Sequence, residues 1–254
     1  IGQVRDKMCG RHVLEIACGP GFWTQFAMET AASVVATDCN QSTLDEAEKK
    51  GLPSDRVTLL RADAYRLDLI PGLFDAVLSV DWLAHVPLSK MKDFLSGAIH
   101  RVRSGSPLMF IDQLPREHSR TGMFDAEGNP IQVRTLADGA AFRVIKHFFS
   151  DAQIEDLFSG FAGELHIQRF PECRRLIVTF TTARASPTLH PAASSSPLEL
   201  FRLGDARKAL EALRSPGRYR ETRGLGYIFS ARWSRASREE VQLGMFQVEQ
   251  REAF

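Results

Sequence analysis

The sequence predicts an α/β fold with a mostly parallel sheet, and three observations indicate this class. Short apolar runs alternate with amphipathic stretches from the start of the chain, which is the pattern of βαβ units. A glycine-rich turn follows the first apolar run and precedes a helix. The chain has 254 residues, of which 44% are hydrophobic and 25% charged. It can therefore bury a sizeable core as one large domain or as a medium domain with an appendage, and global disorder is excluded.

Five short apolar runs predict the strands of the parallel part of the sheet. Amphipathic stretches between several of these runs predict helices that cover the faces of the sheet. The predicted strands are 12–17, 33–37, 56–61, 74–80 and 108–111, and the predicted helices are 22–31, 42–50 and 88–102. Gly51 and Pro53 end the second of these helices, and Ser104 and Gly105 end the third.

An insertion of about residues 114–149 separates the fifth strand from the next helix. It is longer than an ordinary connection in a compact domain. Its runs 131–136 and 141–145 predict a β-hairpin, which either covers a pocket or only decorates the fold.

The segment after the insertion predicts one more helix and two more strands. Ser150 and Asp151 are typical of a helix start, and the helix is expected to reach about Phe158. The runs 165–170 and 176–181 then predict an antiparallel pair that closes the sheet.

Composition sets limits on partners and location. The net charge of +1 does not indicate a nucleic-acid partner, and no apolar run reaches the roughly 18 to 20 residues that span a bilayer. The four cysteines form no CxxC pair and no cluster with histidine, so we expect reduced thiols and no structural metal site. These observations predict a cytoplasmic protein without a membrane partner. Because the sequence opens on Ile1 and not on methionine, we expect a trimmed or processed chain, from which an N-terminal helix that covers the substrate could be missing.

The turn after the first strand is the first candidate site. Gly19 and Gly21 allow the backbone to bend tightly and to touch a ligand, and the helix that follows presents unpaired N–H groups. A dinucleotide fingerprint would need glycines at positions 17, 19 and 22, where this chain has Ala17, Gly19 and Phe22. The turn predicts a nucleotide-type site, but the spacing does not fit NAD.

Two acidic residues follow the next strands along the predicted sheet. Asp38 ends the second strand, where a carboxylate can accept both hydroxyl groups of a ribose. Asp63 ends the third strand and can accept an exocyclic amino group of a base. The carboxyl ends of parallel strands meet at one edge, so this pair after a glycine turn predicts a nucleoside site there.

With these residues in place, the sequence from about His12 to Thr182 resembles the class I S-adenosylmethionine-dependent methyltransferases. Residues 15–21 match their glycine-loop motif, with Ala17 in place of the usual first glycine, and residues 74–80 match their fourth-strand motif. The resemblance implies a Rossmann-like sheet of seven strands, the last antiparallel, with flanking helices. It also implies S-adenosylmethionine as cofactor, and the residues implied at its site are Glu15, Ala17, Gly19, Gly21, Asp38, Asp63, Ala64 and Val80.

The segment after the fourth strand bears on the acceptor. It reads Asp81-Trp-Leu-Ala, whereas family members that methylate base amines carry an Asp/Asn-Pro-Pro-aromatic motif there, and it offers no cysteine nucleophile. We therefore expect transfer to an oxygen or nitrogen of a small molecule. His85 is either a general base or a histidine that orders this loop, and Trp82, His85 and Asp112 are candidate substrate contacts.

Two further features of the sequence leave alternative functions open. Asp81 and Asp112 end adjacent strands and Gln113 follows, which is similar to the Mg²⁺ site of catechol-type O-methyltransferases except that those have Asn. The second alternative is a regulator with an S-adenosylmethionine sensor domain. Residues of about 199–230 resemble the recognition helix and wing of an OmpR-type winged-helix DNA-binding domain, but the rest of that fold is absent.

The composition also predicts the domain boundaries. Residues 186–197 are rich in Ser, Pro and Ala, which is typical of a linker. We predict a methyltransferase domain over 1–185, followed by a C-terminal extension over 198–254 that does not read DNA.

Overall fold

A computed structural model describes residues 1–117, 119, 121–135 and 139–184, together with the backbone of two short strands further along the chain. Those two strands, Ile228–Phe229 and Val248–Glu249, pair antiparallel. The predicted linker over 186–197 lies outside the described residues, as does the winged-helix-like segment apart from Ile228–Phe229.

The described residues up to 184 form five α-helices and ten strands, with two 3₁₀ turns at Leu67–Leu69 and Leu83–His85. The helices are α1 Gly2–Met8, α2 Phe22–Ala27, α3 Gln41–Glu48, α4 Leu88–Ile99 and α5 Asp151–Phe158. The strands are β1 His12–Ile16, β2 Ser33–Asp38, β3 Val57–Arg61, β4 Ala76–Val80, β5 Pro107–Gln113, β6 Met123–Phe124, β7 Pro130–Thr135, β8 Ala141–Ile145, β9 Gly163–Phe170 and β10 Arg175–Thr182.

Seven strands form the main sheet in the order β3-β2-β1-β4-β5-β10-β9. The first five pair in parallel, and β10 is antiparallel to both β5 and β9. The predicted seven-stranded sheet with an antiparallel last strand is therefore confirmed. The strand order reverses between β1 and β4, and such a switch point opens a crevice at the carboxyl edge of the sheet.

Two apolar layers hold the sheet between helices. Phe94 of α4 and Phe158 of α5 pack on one face, around Phe110 of β5. Val4 of α1 and Leu44 of α3 are buried on the other face with residues of β1, β2 and β4. Strands that are buried on both faces consist almost entirely of apolar residues, so these strands could be predicted from apolar runs in the sequence.

The insertion forms a second, three-stranded sheet in the order β6-β7-β8. The predicted hairpin is present as β7 and β8, with Ile131 opposite Ile145, and residue 136 of its predicted first strand lies outside the described residues. Strand β6 was not predicted because it has only two residues, both exposed. This small sheet packs over the loop that follows β4, since His147 N–H donates to the Ala84 carbonyl at 2.8 Å.

Several predicted boundaries were wrong by a few residues. Helix α2 ends at Ala27 rather than at residue 31, because the chain turns and the Thr30 carbonyl accepts the Gly10 N–H. Helix α4 ends at Ile99 rather than at 102, because Val102 bridges to Phe74 instead. Helix α1 was missed, since only two of its side chains are buried.

Candidate active site

The glycine loop joins β1 to α2 in a left-handed backbone conformation. Gly19 and Gly21 have φ of 57° and 75°. A Cβ atom on Gly21 would lie 3.0 Å from Ala47 Cβ of α3, so no larger residue fits there without a shift of that helix. Ala17 also has a positive φ, 55°, at the position where the family usually has glycine. The loop therefore keeps its turn despite the substitution, at some cost in backbone strain.

Asp38 lies at the end of β2 and holds the glycine loop. Its side chain is 4% exposed, and its two carboxylate oxygens accept the N–H groups of Gly19 at 3.0 Å and Asn40 at 2.9 Å. Burial raises the pKa of Asp38, and these N–H groups oppose the rise. A carboxylate offers about four lone-pair sites, so acceptor capacity remains for the hydroxyl groups of a ribose.

Glu15 lies on β1 beneath the glycine loop and is 1% exposed. Its Oε2 atom has no hydrogen-bond partner among the described residues. Burial raises the pKa of Glu15 to about 8, and the negative charge of Asp38 adds to the rise. Burial next to the loop therefore favours the protonated form of Glu15.

Asp63 and Ala64 follow β3 at the same edge of the sheet. The Asp63 carboxylate accepts the Tyr65 N–H at 2.9 Å, and both residues are half-buried. The Tyr65 ring lies 6.0 Å from the Trp82 ring, which in turn packs on Phe94 in the core. Trp82, a predicted substrate contact, is 5% exposed, so most of its ring lies in the core. Its contact with Tyr65 places it on the side of the edge where Asp63 lies.

Asp81 directly follows β4 and Asp112 lies near the end of β5, and each faces a basic side chain. The Asp81 carboxylate accepts Arg175 Nη1 at 2.7 Å, with the backbone of Asp81 at φ 55°. The Asp112 carboxylate accepts the Ala84 N–H at 3.1 Å and lies 3.5 Å from Lys146 Nζ. Burial raises the pKa of Asp112 to about 6 against the opposing charge of Lys146.

Sequence reasoning missed Lys146 and Arg175. Lys146 is 2% exposed and comes from the insertion, and Arg175 begins the antiparallel strand β10. No motif surrounds either residue. The one signal in the sequence is that each of these basic residues adjoins a predicted strand that is mostly apolar.

His85 connects the loop after β4 to the insertion. Its Nδ1 atom lies 2.6 Å from the Ile145 carbonyl and the side chain is buried. Burial and the charges of Lys146 and Arg134 lower the pKa of His85 well below its usual range. The imidazole is therefore neutral, and a carbonyl partner requires that Nδ1 carries the hydrogen.

A cavity of about 350 Å³ opens next to Asp112. It lies between the ends of β5 and β10 and the segment that joins β8 to α5. Its lining includes Gln113, Leu114, His147, Phe149 and Arg169. The cavity thus adjoins the edge of the sheet that carries the predicted site.

Comparison with known proteins agrees with this architecture. A family model described as a methyltransferase domain matches residues 13–105. A structure of DhpI in complex with SAH is 28% identical over 72% of this chain and 81% of its own, with a TM-score of 0.58. A DhpI complex with SAM and HEP is 30% identical over 66% of this chain and 77% of its own, with a TM-score of 0.57. The chain belongs to the class I S-adenosylmethionine-dependent methyltransferases.

A further structure shows how widely this fold is shared. A SAM-dependent methyltransferase from Methanosarcina mazei is 14% identical over 72% of this chain and 98% of its own, with a TM-score of 0.58. At that identity the likeness concerns the fold alone. None of the curated proteins matches this methyltransferase.

The residues at the edge of β1 to β3 fit the cofactor of this methyltransferase. The glycine loop leaves backbone room, and Asp38 and Asp63 supply acceptors at consecutive strand ends. The unpartnered Oε2 of Glu15 adds a buried polar atom under the loop. S-adenosylmethionine is the cofactor. Val80 is 6% exposed at the end of β4, beside this edge.

The same geometry does not favour the Mg²⁺ alternative. Asp81 is bound to Arg175 and Asp112 to Lys146, so each carboxylate already faces a positive charge. Within the described part of the chain, no group of three His, Cys, Asp or Glu side chains is arranged to hold a metal ion.

Among the helices of the described residues, none is both long enough and apolar enough to span a bilayer.

Proposed function

We propose that this methyltransferase transfers a methyl group to an oxygen or nitrogen atom of a small-molecule acceptor. The observation that carries the proposal is the insertion, which covers the edge of the sheet beside Asp112 and leaves a cavity of about 350 Å³. A cavity of this size suits a small molecule. The insertion is held in place by His147 N–H to Ala84 O at 2.8 Å and by Leu88 N–H to Asn129 Oδ1 at 2.8 Å.

The residues of this chain would act by binding and orientation. When bound, S-adenosylmethionine supplies a methyl group already activated on a sulfonium. We propose that Asp38 binds the ribose of the cofactor and that Asp63 and Ala64 contact its adenine. The glycine loop would bind the rest of the cofactor. The insertion would exclude water from the acceptor, and positioning of this kind can provide much of the rate.

The experiment is methyl transfer from labelled S-adenosylmethionine into a metabolite extract, read by mass spectrometry. We expect label in a low-molecular-weight product, equal turnover in excess EDTA, and much less product with Asp38→Ala at a limiting cofactor concentration. Label found only in protein or nucleic acid would contradict the small-molecule assignment, and loss of turnover in EDTA would restore the Mg²⁺ alternative.

We further propose that His85 is a positioning residue. Its Nδ1–H holds the Ile145 carbonyl, and its lowered pKa leaves the imidazole neutral. The role of general base stays a prediction. An acceptor hydroxyl or protonated amine would require such a base, whereas an acceptor that is already deprotonated would not.

His85→Asn separates these two roles, because an amide N–H can still donate to Ile145 but cannot take a proton near neutral pH. We expect His85→Asn to retain kcat within about tenfold with an unchanged pH profile, and His85→Ala to lose activity and thermal stability together. A general acid–base group typically contributes about 10²–10⁴-fold, so a loss of that size in a folded His85→Asn variant, with a changed pH profile, would assign the base role instead.

We propose that residues 1–185 are the methyltransferase domain and that the extension after the linker is not needed for cofactor binding. Every residue that we have so far proposed for the cofactor site lies before β5, and the seven-stranded sheet ends with Thr182. A chain ending at Ala185 is expected to bind S-adenosylhomocysteine with the affinity of the full chain. A tenfold weaker affinity would show that the extension takes part in the site.

A further inference from the structure

The ion pair of Asp81 and Arg175 lies at the switch point of the sheet. Asp81 directly follows β4, which pairs with β1. The register places Ile16 opposite Ser79, so the glycine loop and Asp81 leave neighbouring strands at nearly the same level of the carboxyl edge. Arg175 begins β10 and reaches Asp81 past the end of β5, with its Nη1 atom 2.7 Å from Asp81 Oδ1. The ion pair therefore adjoins the start of the glycine loop.

The backbone is strained where both of these strands end. Ala17 and Asp81 each have a φ of 55°, in the left-handed region that is costly for residues other than glycine. Ala17 follows β1 and Asp81 follows β4, on either side of the switch point. Strained residues of this kind cluster at ligand-binding sites. The strain is consistent with a binding role for this part of the edge.

Asp81 has a carboxylate oxygen to offer to a ligand. Its side chain is 2% exposed, and its Oδ2 atom has no hydrogen-bond partner among the described residues. Arg175 donates to the other oxygen, Oδ1. A buried carboxylate oxygen without a donor is unfavourable, and a cationic N–H group would relieve this cost. Asp81 is thus suited to accept a hydrogen bond from an ammonium group.

Arg175 has donors to offer to an anion. A guanidinium group carries five N–H donors, and the acceptor that the Arg175 side chain has within the described residues is Asp81 Oδ1. The side chain is 19% exposed, so part of it reaches the open edge of the sheet. Its Cζ atom lies 5.9 Å from the ring centre of Trp23, the second residue of α2. Asp81 and Trp23 together fix the guanidinium beside the glycine loop.

The order of the strands indicates which part of the cofactor meets this ion pair. The proposed adenine site at Asp63 follows β3, and the proposed ribose site at Asp38 ends β2. Strands β1 and β4 come next in the sheet, and adjacent strands lie about 4.8 Å apart. A cofactor that lies along the edge in this direction brings its methionyl part to the ends of β1 and β4. That part carries an α-ammonium group and an α-carboxylate group.

We propose that Asp81 and Arg175 bind the methionyl part of S-adenosylmethionine, with Asp81 Oδ2 accepting from the α-ammonium group and Arg175 donating to the α-carboxylate. This inference rests on the proposed function, because it uses the positions proposed there for the adenine and the ribose. A carboxylate beside a guanidinium matches the two charges of an amino acid, and arginine binds carboxylates through paired N–H donors. The sulfonium lies between the methionyl chain and the ribose, so anchoring both ends positions it for transfer.

Titration calorimetry of the full chain with four ligands tests this inference. S-Adenosylhomocysteine carries both groups, its decarboxylated analogue lacks the α-carboxylate, its deaminated analogue lacks the α-ammonium, and 5′-methylthioadenosine lacks both. We expect Arg175→Gln to weaken binding of S-adenosylhomocysteine and of the deaminated analogue about tenfold or more. We expect Asp81→Asn to weaken binding of S-adenosylhomocysteine and of the decarboxylated analogue to a similar extent. In each variant the other two ligands should bind with nearly the wild-type affinity.

A second ion pair at the other end of β4 provides the matched control. Asp75 directly precedes β4, its carboxylate accepts Arg103 Nη1, and both side chains are half-buried. Arg103→Gln removes the same charge and should leave all four affinities unchanged. Binding of 5′-methylthioadenosine shows that a variant is folded. Arg175→Lys keeps the positive charge but not the paired donors, so it should lose less affinity than Arg175→Gln, and only for ligands with the α-carboxylate.

An equal loss for all four ligands in a folded Asp81→Asn or Arg175→Gln variant would overturn the inference, because it would show a structural role only. Unchanged affinity for S-adenosylhomocysteine in both variants would overturn it as well. The proposed function is judged separately, since Asp38→Ala should weaken all four ligands, each of which carries the ribose. A wild-type chain that binds neither S-adenosylhomocysteine nor 5′-methylthioadenosine contradicts the proposed cofactor site itself.

Discussion

Lys146→Met is expected to lower the free energy of unfolding by about 3–5 kcal/mol at pH 8, because it leaves the buried Asp112 carboxylate without its positive partner. The pKa of Asp112 is already raised to about 6 in the folded chain, above its ordinary value near 4. A carboxyl group with a raised pKa stabilises the fold at low pH, and this stability is lost as the pH rises through the folded pKa. The effect of Lys146→Met should therefore be smaller at pH 5 than at pH 8.

Urea unfolding at both pH values measures this effect. Adding Asp112→Asn to Lys146→Met should recover most of the loss, since the amide keeps an acceptor for the Ala84 N–H without a charge. The control is Lys49→Met, which removes an exposed lysine paired with Glu46 and should cost no more than about 1 kcal/mol. A cost for Lys146→Met as small as that of the control would show that the buried pair is not coupled.

Glu15→Gln is expected to stabilise the chain increasingly as the pH rises from about 5 to 8. The folded pKa of Glu15, about 8, lies above the value of about 4.3 in an unfolded chain, so wild-type stability falls over this interval. At about 1.4 kcal/mol for each pH unit, the loss reaches about 4 kcal/mol. Glutamine keeps the shape and the buried polar contacts of a protonated glutamate, and it does not titrate.

The measurement is the difference in unfolding free energy between Glu15→Gln and wild type at several pH values, so that all other titrating groups cancel. Glu29→Gln is the control, because Glu29 is exposed, pairs with Arg5 and has a lowered pKa. Its difference should not grow in favour of the variant as the pH rises. A flat difference for Glu15→Gln would mean that Glu15 is ionised in the folded chain at neutral pH.

The parts of the fold that sequence could predict are those determined by neighbouring residues. Strand β1 and the glycine loop lie within ten residues, and Ser150 with Gln153 forms a reciprocal cap at the start of α5, where the sequence placed the helix. Asp38 and Asp63 could be placed because Asp38 ends β2 and Asp63 follows β3, and the carboxyl ends of parallel strands share one edge. In each case the structure that neighbouring residues favour is also the structure found in the complete fold.

The remaining features depend on contacts between distant segments. Lys146 meets Asp112 because the insertion packs back onto the loop after β4, and no pattern near residue 146 encodes that packing. Arg175 reaches Asp81 because the antiparallel register places it opposite Gln113. His85 was noticed in the sequence, but only its contact with Ile145 shows that it holds the insertion. The acceptor side of the site was therefore less predictable than the cofactor side.

Binding of S-adenosylhomocysteine, measured by titration calorimetry with wild type, Asp38→Ala and Asp38→Asn, tests the central claim most directly. We predict saturable binding by wild type with one site for each chain. Asp38→Ala should bind at least tenfold more weakly, since losing the ribose contacts costs on the order of 1.5–3 kcal/mol, and Asp38→Asn should lie between the two. Circular dichroism would confirm that each variant is folded. No saturable binding by wild type, or equal affinity in folded Asp38→Ala, would contradict the account.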